Sequence, residues 1–305
     1  MCCLFGFVDY TGSLSVAQKN RLIRELSIAA EARGTDATGV AYNTSRGLQI
    51  YKRPLAAHRL HLRIPAEAHV VMGHTRMTTQ GSEKKNYNNH PFFGRVKGQS
   101  FALAHNGTIW NDLELRRTKH LPRTKVQTDS YIAAQLLERQ KALNLSSLKC
   151  MAEQVEGSFS FSVLSEQDEL WLVKGDNPLT IVRFPAVGAF VYASTAEILN
   201  KALARCGNWL GRGEKVDIAM GDIVKIDSRG HITRGTFDAS KFYRSSWGYW
   251  DTSLYPKAPH SEEEHLALLK SVAKSFGFTS EMIDRLLDQG FTTMEIEELL
   301  YDGGY

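Results

Sequence analysis

The sequence predicts a layered protein of mixed helices and strands, with sheets that are largely antiparallel. Three observations carry this expectation. Short apolar runs of strand length recur through the first 240 residues, with turn residues between them. Two segments, near the start and the middle, carry apolar residues at helical spacing instead. Strands flank those two helices on both sides.

In chain order, Leu4–Val8 is a short apolar run of the kind a buried strand makes. Val16–Arg33 places Leu22, Ile23, Leu26, Ala29 and Ala30 on one helical face and ends at Gly34. Val40–Asn43 and Leu48–Tyr51 form a hairpin around Ser45–Gly47. Val70–Thr75 and Phe101–His105 are strands that run straight into polar residues, and Ser130–Leu143 is an amphipathic helix. Ser158–Leu164, Glu169–Val173, Thr180–Phe184, Phe190–Ala193 and Ile223–Ile226 complete the strands.

Composition narrows the class. Of 305 residues, 43% are hydrophobic and 23% charged, which is ordinary globular composition. No run of 18 apolar residues exists, so no membrane-spanning helix is expected. The N-terminus MCCLFGFVDY lacks a basic segment followed by a long apolar stretch, so no signal peptide and a cytoplasmic location are expected. Cys2, Cys3, Cys150 and Cys206 form no metal-ligand or disulfide spacing. The net charge is +4, yet residues 241–305 carry a balance of −5 and the rest +9. The basic residues are scattered and no aromatic-interleaved cluster occurs, so a solvated surface is expected and nucleic acid is not.

The chain divides into three regions: 2–240 as the main domain, 241–261 as an aromatic linker, and 262–305 as a small helical module. The linker has no clear period and either wraps the main domain or docks elsewhere. In the last region a 13-residue pattern occurs twice, Gly277-Phe278-Thr279…Ile283…Leu286-Leu287 and Gly290-Phe291-Thr292…Ile296…Leu299-Leu300. Each Gly ends a helix, each Phe packs as a staple and each Thr caps the next helix; Thr292 and Glu295 have capping-box spacing. The pattern resembles ubiquitin-associated three-helix modules. A plain mini-bundle and a partner-binding module both remain open.

Cys2 is the most informative residue. Removal of Met1 would leave a thiol and a free α-amine on one residue, the amine titrating near about 7.7–8.0, where it can take and return a proton. Alone this means little, since most cysteines at such a position are bland. Four further segments give it weight: Arg33-Gly34-Thr35-Asp36-Ala37-Thr38-Gly39; Gly73-His74-Thr75-Arg76-Met77-Thr78-Thr79-Gln80-Gly81 with Asn89-His90-Pro91; Ala104-His105-Asn106-Gly107-Thr108-Ile109; and Gln127-Thr128-Asp129-Ser130.

With Cys2 at the front, this order of motifs resembles the glutaminase domain of class II glutamine amidotransferases, which are N-terminal nucleophile (Ntn) hydrolases. It is closest to the glucosamine-6-phosphate synthase type and shares features with amidophosphoribosyltransferase. The likeness runs from Cys2 to about Ile226, with later echoes at Glu156-Gly157-Ser158, Gly175-Asp176-Asn177-Pro178-Leu179, Tyr192-Ala193-Ser194 and Gly221-Asp222-Ile223. It implies an α+β fold, the four-layer αββα Ntn-hydrolase sandwich, with a small helical C-terminal appendage. It also implies glutamine hydrolysis to glutamate and ammonia through a Cys2 thioester, with Asn106 and the Gly107 amide as oxyanion donors. Arg76 would pair the α-carboxylate with help from Thr79 and Gln80, Asp129 the α-ammonium, and Arg33 would support the N-terminus. The competing reading makes Asp129 an N-cap of the helix after it and Arg76 a surface charge. No metal or organic cofactor is implied. His74, His90 and His105 are expected to pack or to hold loops.

Departures from the family pattern are Cys3 where glycine is usual, Met77 where many synthases have Trp, and Gln80 where many have His. Cys3 either crowds the nucleophile or is an inconsequential second thiol. Only the ammonia-producing half is represented, since the residues after it are too few for a second large core. The expected partners are L-glutamine and a separate acceptor synthase that takes the ammonia. An Ntn hydrolase for another amide and an inactive glutaminase-like scaffold are the alternatives.

Overall fold

The apolar run after Cys2 becomes β1 (Cys3–Asp9), buried on both faces. Successive strand side chains point to opposite sides, so Cys3, Phe5 and Phe7 enter one core and Leu4 and Val8 another. Every other layer of the molecule is arranged around that division. The computed structural model describes residues 2–240 and 242, then 266, 269, 270, 273, 278–289, 293 and 296.

After β1 come α1 (Val16–Ala29), β2 (Ala37–Thr44), β3 (Gly47–Arg53), β4 (Val70–Arg76), β5 (Phe92–Val96) and β6 (Gln99–Ile109). Next are α2 (Asp112–Thr118), α3 (Tyr131–Glu138), α4 (Leu145–Gln154), β7 (Gly157–Ser165), β8 (Leu170–Lys174), β9 (Thr180–Phe184) and β10 (Ala189–Ala193). The domain finishes with α5 (Ala196–Cys206), β11 (Glu214–Val216), β12 (Asp222–Ile226) and β13 (Ile232–Thr236). One sheet runs β11-β9-β10-β1-β4-β2-β3 and the other β13-β12-β8-β7-β6-β5. The strand pairs among the described residues are antiparallel.

Three cores define four layers. Leu4, Val8, Met72, Ala102, Ala104, Leu164, Leu172 and Tyr192 meet between the two sheets. Phe5, Phe7 and Val71 pack against Leu22, Leu26, Ile198 and Ala202 of α1 and α5. On the far side Phe101, Leu103, Phe161 and Val173 pack against Ile132, Leu136, Leu148 and Met151 of α3 and α4. The arrangement is the αββα sandwich that the resemblance implied.

Expected and observed elements differ where a local signal overrides the apolar pattern. The helix expected over Ser130–Leu143 stops at Glu138, and α4 starts afresh because Asn144 and Ser147 form a reciprocal capping box. Thr195 starts α5 by accepting the Ile198 amide proton. The β5 strand is hidden by Gly94, where a Cβ would sit 2.2 Å from the Phe101 ring. Helices α2, α4 and α5 and strands β5, β11 and β13 were not anticipated from periodicity.

Two compact units divide the chain, Met1–Ser245 and Ser246–Tyr305. In the second, α6 (Ser280–Asp288) is capped by Thr279, whose hydroxyl accepts from the Met282 amide. Ile283 packs with Leu269, Ala273 and Ile296, and Phe278 lies against them. The first copy of the repeat pattern thus yields a capped helix. All of the linker 241–261 except Phe242, which packs on the Phe159 ring, most of the helix expected over Glu262–Phe276, and the Thr292–Glu295 cap lie outside the described residues.

Helix α1 leads directly into Arg33, so its placement sets where that side chain can reach. It is started by a Ser15–Gln18 capping box and tied to β1 by a buried ion pair, Lys19 Nζ to Asp9 Oδ2 at 3.2 Å. Lys19 also donates to the carbonyls of Ala66 and Ala68, and Asp9 accepts from the amides of Ser13 and Leu14. Both charges are therefore well provided for, and removing one strands the other. Lys19→Met is expected to lower unfolding stability by about 3–5 kcal/mol in urea titrations. A loss below about 1 kcal/mol would show that the pair does not lock α1 onto the sheet.

Candidate active site

The register of β1 on β4 pairs Cys3 with Thr75, so Cys2, one residue earlier, continues toward Arg76. The thiol of Cys2 donates to the Met77 carbonyl over 3.6 Å. Burial pushes this thiol up from its ordinary value, opposed by the Met77 hydrogen bond and the Arg76 charge and reinforced by Asp129. Arg33, at the end of the turn that continues α1, donates from Nε to the Cys2 carbonyl at 2.9 Å. The bond places the Arg33 side chain beside the start of β1. Cys3 points the other way, into the core under α1. Its thiol donates to the Leu4 carbonyl at 3.3 Å, and burial pushes it up to about 11. It does not crowd the Cys2 side chain.

Arg76 is 3% exposed, so it is not a surface charge. Its Nη1 donates to Asn89 Oδ1 at 2.7 Å, and its Nη2 to the carbonyls of Gln80 and Gly81 at 2.5 and 2.9 Å. The guanidinium thereby closes its own loop, residues 77–81. Burial pulls Arg76 down, while Cys2, Glu83, Asp36 and Asp129 oppose this. Asp129 is also buried. Its Oδ2 accepts the Ile109 amide at 2.6 Å and its Oδ1 the Ser130 hydroxyl at 3.3 Å. It does not cap α3 with its side chain, so the N-cap reading of this aspartate is corrected. Gln80 joins the two charged residues: its carbonyl accepts from Arg76, and its Oε1 accepts the Asp129 amide proton at 2.8 Å. Thr79 is exposed, and among the described residues no hydrogen bond ties it to the others.

Asn106 and Gly107 lie at the end of β6. The parity that puts Ala102 and Ala104 between the sheets puts Asn106 there too. It is fully buried. Its Nδ2 donates to Ser194 Oγ over 3.4 Å, while Oδ1 has no hydrogen-bond partner, a situation that costs about 1–3 kcal/mol when left unrelieved. Gly107 has φ +139°, and a Cβ would lie 1.8 Å from the Ser158 carbonyl oxygen and 2.7 Å from Asn177 Nδ2. Only glycine fits there.

Several residues of the ordered motifs have positions that periodicity did not reveal. Asp36 accepts the Thr78 amide at 2.7 Å, and its own amide donates to the Arg76 carbonyl at 3.0 Å. A Cβ on Gly34 would lie 2.4 Å from the Arg76 carbonyl carbon. The Arg33–Gly39 motif is therefore a cradle for the loop after β4. Asn88 accepts the Gln127 amide at 2.9 Å, which ties the second motif to the fourth. Lys52 was not anticipated at all: it donates to the carbonyls of Asn89 and Pro91 at 2.5 and 2.9 Å. Burial, and then the Arg76 charge, push it down to about 8. The signal that could have found Asn89, Asn177 and Ser194 was their place inside ordered motifs. A cleft of about 510 Å³ elsewhere, lined by Arg21, Arg24, Arg63 and His61, includes none of these residues.

A profile of the family described as glutamine amidotransferase domain matches residues 74–201. The isomerizing glutamine–fructose-6-phosphate aminotransferase of Sulfurisphaera tokodaii is 31% identical over 194 residues, covering 59% of this chain and 31% of that protein. The amidophosphoribosyltransferase of Methanothermobacter thermautotrophicus is 36% identical over 125 residues, 38% of this chain and 26% of that one. The chain thus spans about a third or less of these relatives' lengths. Among solved structures, the B. subtilis glutamine phosphoribosylpyrophosphate amidotransferase with ADP and GMP superposes at a TM-score of 0.60 with 17% identity, over 78% of this chain and 49% of that one. A structure described as the allosteric regulatory enzyme of purine biosynthesis gives 0.61 with 18% identity over the same shares. At that identity the superpositions speak for the fold.

Three buried histidines lie among these motifs. The rings of His74 and His90 are 4.1 Å apart, His74 Nε2 donates to the His105 carbonyl, and His105 Nδ1 meets Ser130 Oγ at 2.8 Å. Burial holds all three below the ordinary imidazole value, His74 down to about 3. They are neutral packing and hydrogen-bonding groups in the folded state. The unfolded chain binds protons at these sites below about pH 6.5, so it holds more protons than the folded one and stability falls as pH drops from 6.5 toward 3. Nitrogen NMR of the imidazole rings at pH 5 should find His74 uncharged. An imidazolium signal for His74 at that pH would contradict its burial.

Proposed function

Because this chain carries a class II glutamine amidotransferase domain on an Ntn-hydrolase fold, we propose that it hydrolyses L-glutamine to glutamate and ammonia. The supporting observation is the convergence of Cys2, Arg76 and Asp129. Three distant segments bring a thiol, a guanidinium and a carboxylate close enough to act on one another's charge, with Gln80 bonded to both charged residues. A free amino acid presents a carboxylate and an ammonium that need opposite charges. Arg76 and Asp129 supply them, while Thr79 and Gln80 belong to the loop that would close over the substrate.

The chemistry starts from the desolvated thiol. Burial keeps the Cys2 sulfur protonated at rest, so a base must take that proton as attack begins. With Met1 removed, the α-amine of Cys2 does so. The sulfur bonds to the side-chain amide carbon, and the carbonyl oxygen becomes an oxyanion held by the Asn106 side-chain amide and the Gly107 amide. Collapse of this intermediate breaks the C–N bond, and the ammonium returns the proton to the departing ammonia. Water then cleaves the thioester to glutamate and regenerates the thiol. Arg33 keeps the backbone of Cys2 in place through its carbonyl. The ammonia passes to a separate acceptor synthase. The four cysteines are free thiols, which suits a reducing, cytoplasmic setting.

Two measurements test this. Purified protein should release glutamate and ammonia from glutamine, and Cys2→Ala should abolish that release; turnover by the variant at the wild-type rate would end the proposal. Intact mass should show loss of Met1, since a retained methionine occupies the amine that serves as base.

A further inference from the structure

Two motifs remain without a task in that chemistry, Gly175–Leu179 and Tyr192–Ser194, and both reach Asn106. Asn177 Nδ2 donates to the Asn106 main-chain carbonyl at 3.1 Å and to Ser158 Oγ at 2.7 Å. The backbone at 106 is therefore held from one side. What stays free is the rotation of the Asn106 side-chain amide, and the group beside it is Ser194 Oγ at 3.4 Å.

Ser194 is fully buried at the end of β10 and doubly paired with Leu4. Its amide donates to the Leu4 carbonyl, and its Oγ accepts the Leu4 amide, both at 2.8 Å. The hydroxyl is thus anchored to the strand that begins at the nucleophile. A serine hydroxyl has one proton to give and two lone pairs. With Nδ2 of Asn106 also pointing at Oγ, both lone pairs are taken, and the proton has only the neighbouring Cys3 thiol, a weak acceptor. Meanwhile Asn106 Oδ1, a strong acceptor, is buried without a partner. A half-turn of the amide about Cβ–Cγ exchanges its two nearly isosteric ends and resolves both problems. Ser194 then donates to Oδ1, and Nδ2 turns to the side where Oδ1 had no partner.

We propose that Ser194 is a positioning residue that selects which end of the Asn106 amide faces the reacting carbonyl: its hydroxyl holds Oδ1, so that Nδ2 is presented to the developing oxyanion. The inference rests on the glutaminase reading above. An oxyanion needs a donor, and an amide with its oxygen turned inward would repel it. Ser194 therefore acts in the transition state and leaves the binding of glutamine's two charged ends to Arg76 and Asp129.

A double-mutant cycle with a structural readout tests it. Ser194→Ala should lower kcat about 10- to 100-fold, short of the roughly 10²–10³ lost when an oxyanion donor is removed, with KM for glutamine within about twofold. In an Asn106→Ala background the same change should cost nothing further, because the amide it orients is gone. Ser194→Cys, which leaves no cavity but offers only a weak donor, should behave like Ser194→Ala and serves if the alanine variant does not fold. Unchanged kcat in either variant, or losses that multiply in the double variant, would overturn the proposal. A neutron structure of the wild-type protein reads nitrogen from oxygen without reference to activity. Oδ1 at Ser194 supports the proposal and Nδ2 there refutes it, whereas a wild-type protein that does not turn over glutamine defeats the glutaminase reading instead.

Discussion

The pairing of β1 between β4 and β10 is the constraint on which the candidate site depends. Its register on β4 brings Cys2 to Arg76. Its bridge to Ser194 brings the same strand end to the side chain that touches Asn106. A one-residue slip would reverse every side chain of β1. Cys3 would then face the inter-sheet layer, and Leu4 would face α1. The strand is buried on both faces, so such a slip would be costly, and the protein specifies the position of Cys2 with the same apolar residues that build two of its cores.

Around that strand end the charged groups are bonded to protein. The Arg76 guanidinium is satisfied by Asn89 and by carbonyls of its own loop, the Asp129 carboxylate by the Ile109 amide and Ser130. Lys52 fixes the Asn89–Pro91 segment that supports Arg76. Each charged group is thus held in one orientation by its protein partners. The neutral histidines lie among them and add no charge at neutral pH. The loop after β4 is held by Arg76, through the carbonyls of Gln80 and Gly81, and by Asp36, through the Thr78 amide.

An apolar run buried on both faces was readable because little else can be buried that way, and Val70–Thr75 became β4 with almost the same limits. Thr180–Phe184, half-buried with Arg183 exposed, was readable as β9 from its β-branched residues. The misses share a cause. Helices α4 and α5 begin at caps, Asn144 and Thr195, and a cap is a single residue that periodicity does not weigh. The β5 strand carries a glycine at the one position where a neighbouring ring needs the room. Arg76 and Asp129 stood out because their motifs are ordered along the chain, whereas Lys52 lies in an unremarkable hairpin strand and gains its place only from the fold.

By itself the sequence determined the residue types: a thiol at position 2, a short apolar run behind it, an asparagine before a glycine, and one cation and one carboxylate in separate motifs. It also placed the start of α1 at Val16. Tertiary structure alone decided which of these meet. Strand register, a long-range property, placed Cys2 beside Arg76. Sheet-on-sheet packing faced Asn106 toward Ser194, and Gln80 bridged residues 76 and 129 across 49 positions of chain between its side chain and the latter's amide. The physical reason is that helix caps and turns are written within a few residues, while the partners of a buried polar group are chosen by whatever the folded layers bring against it.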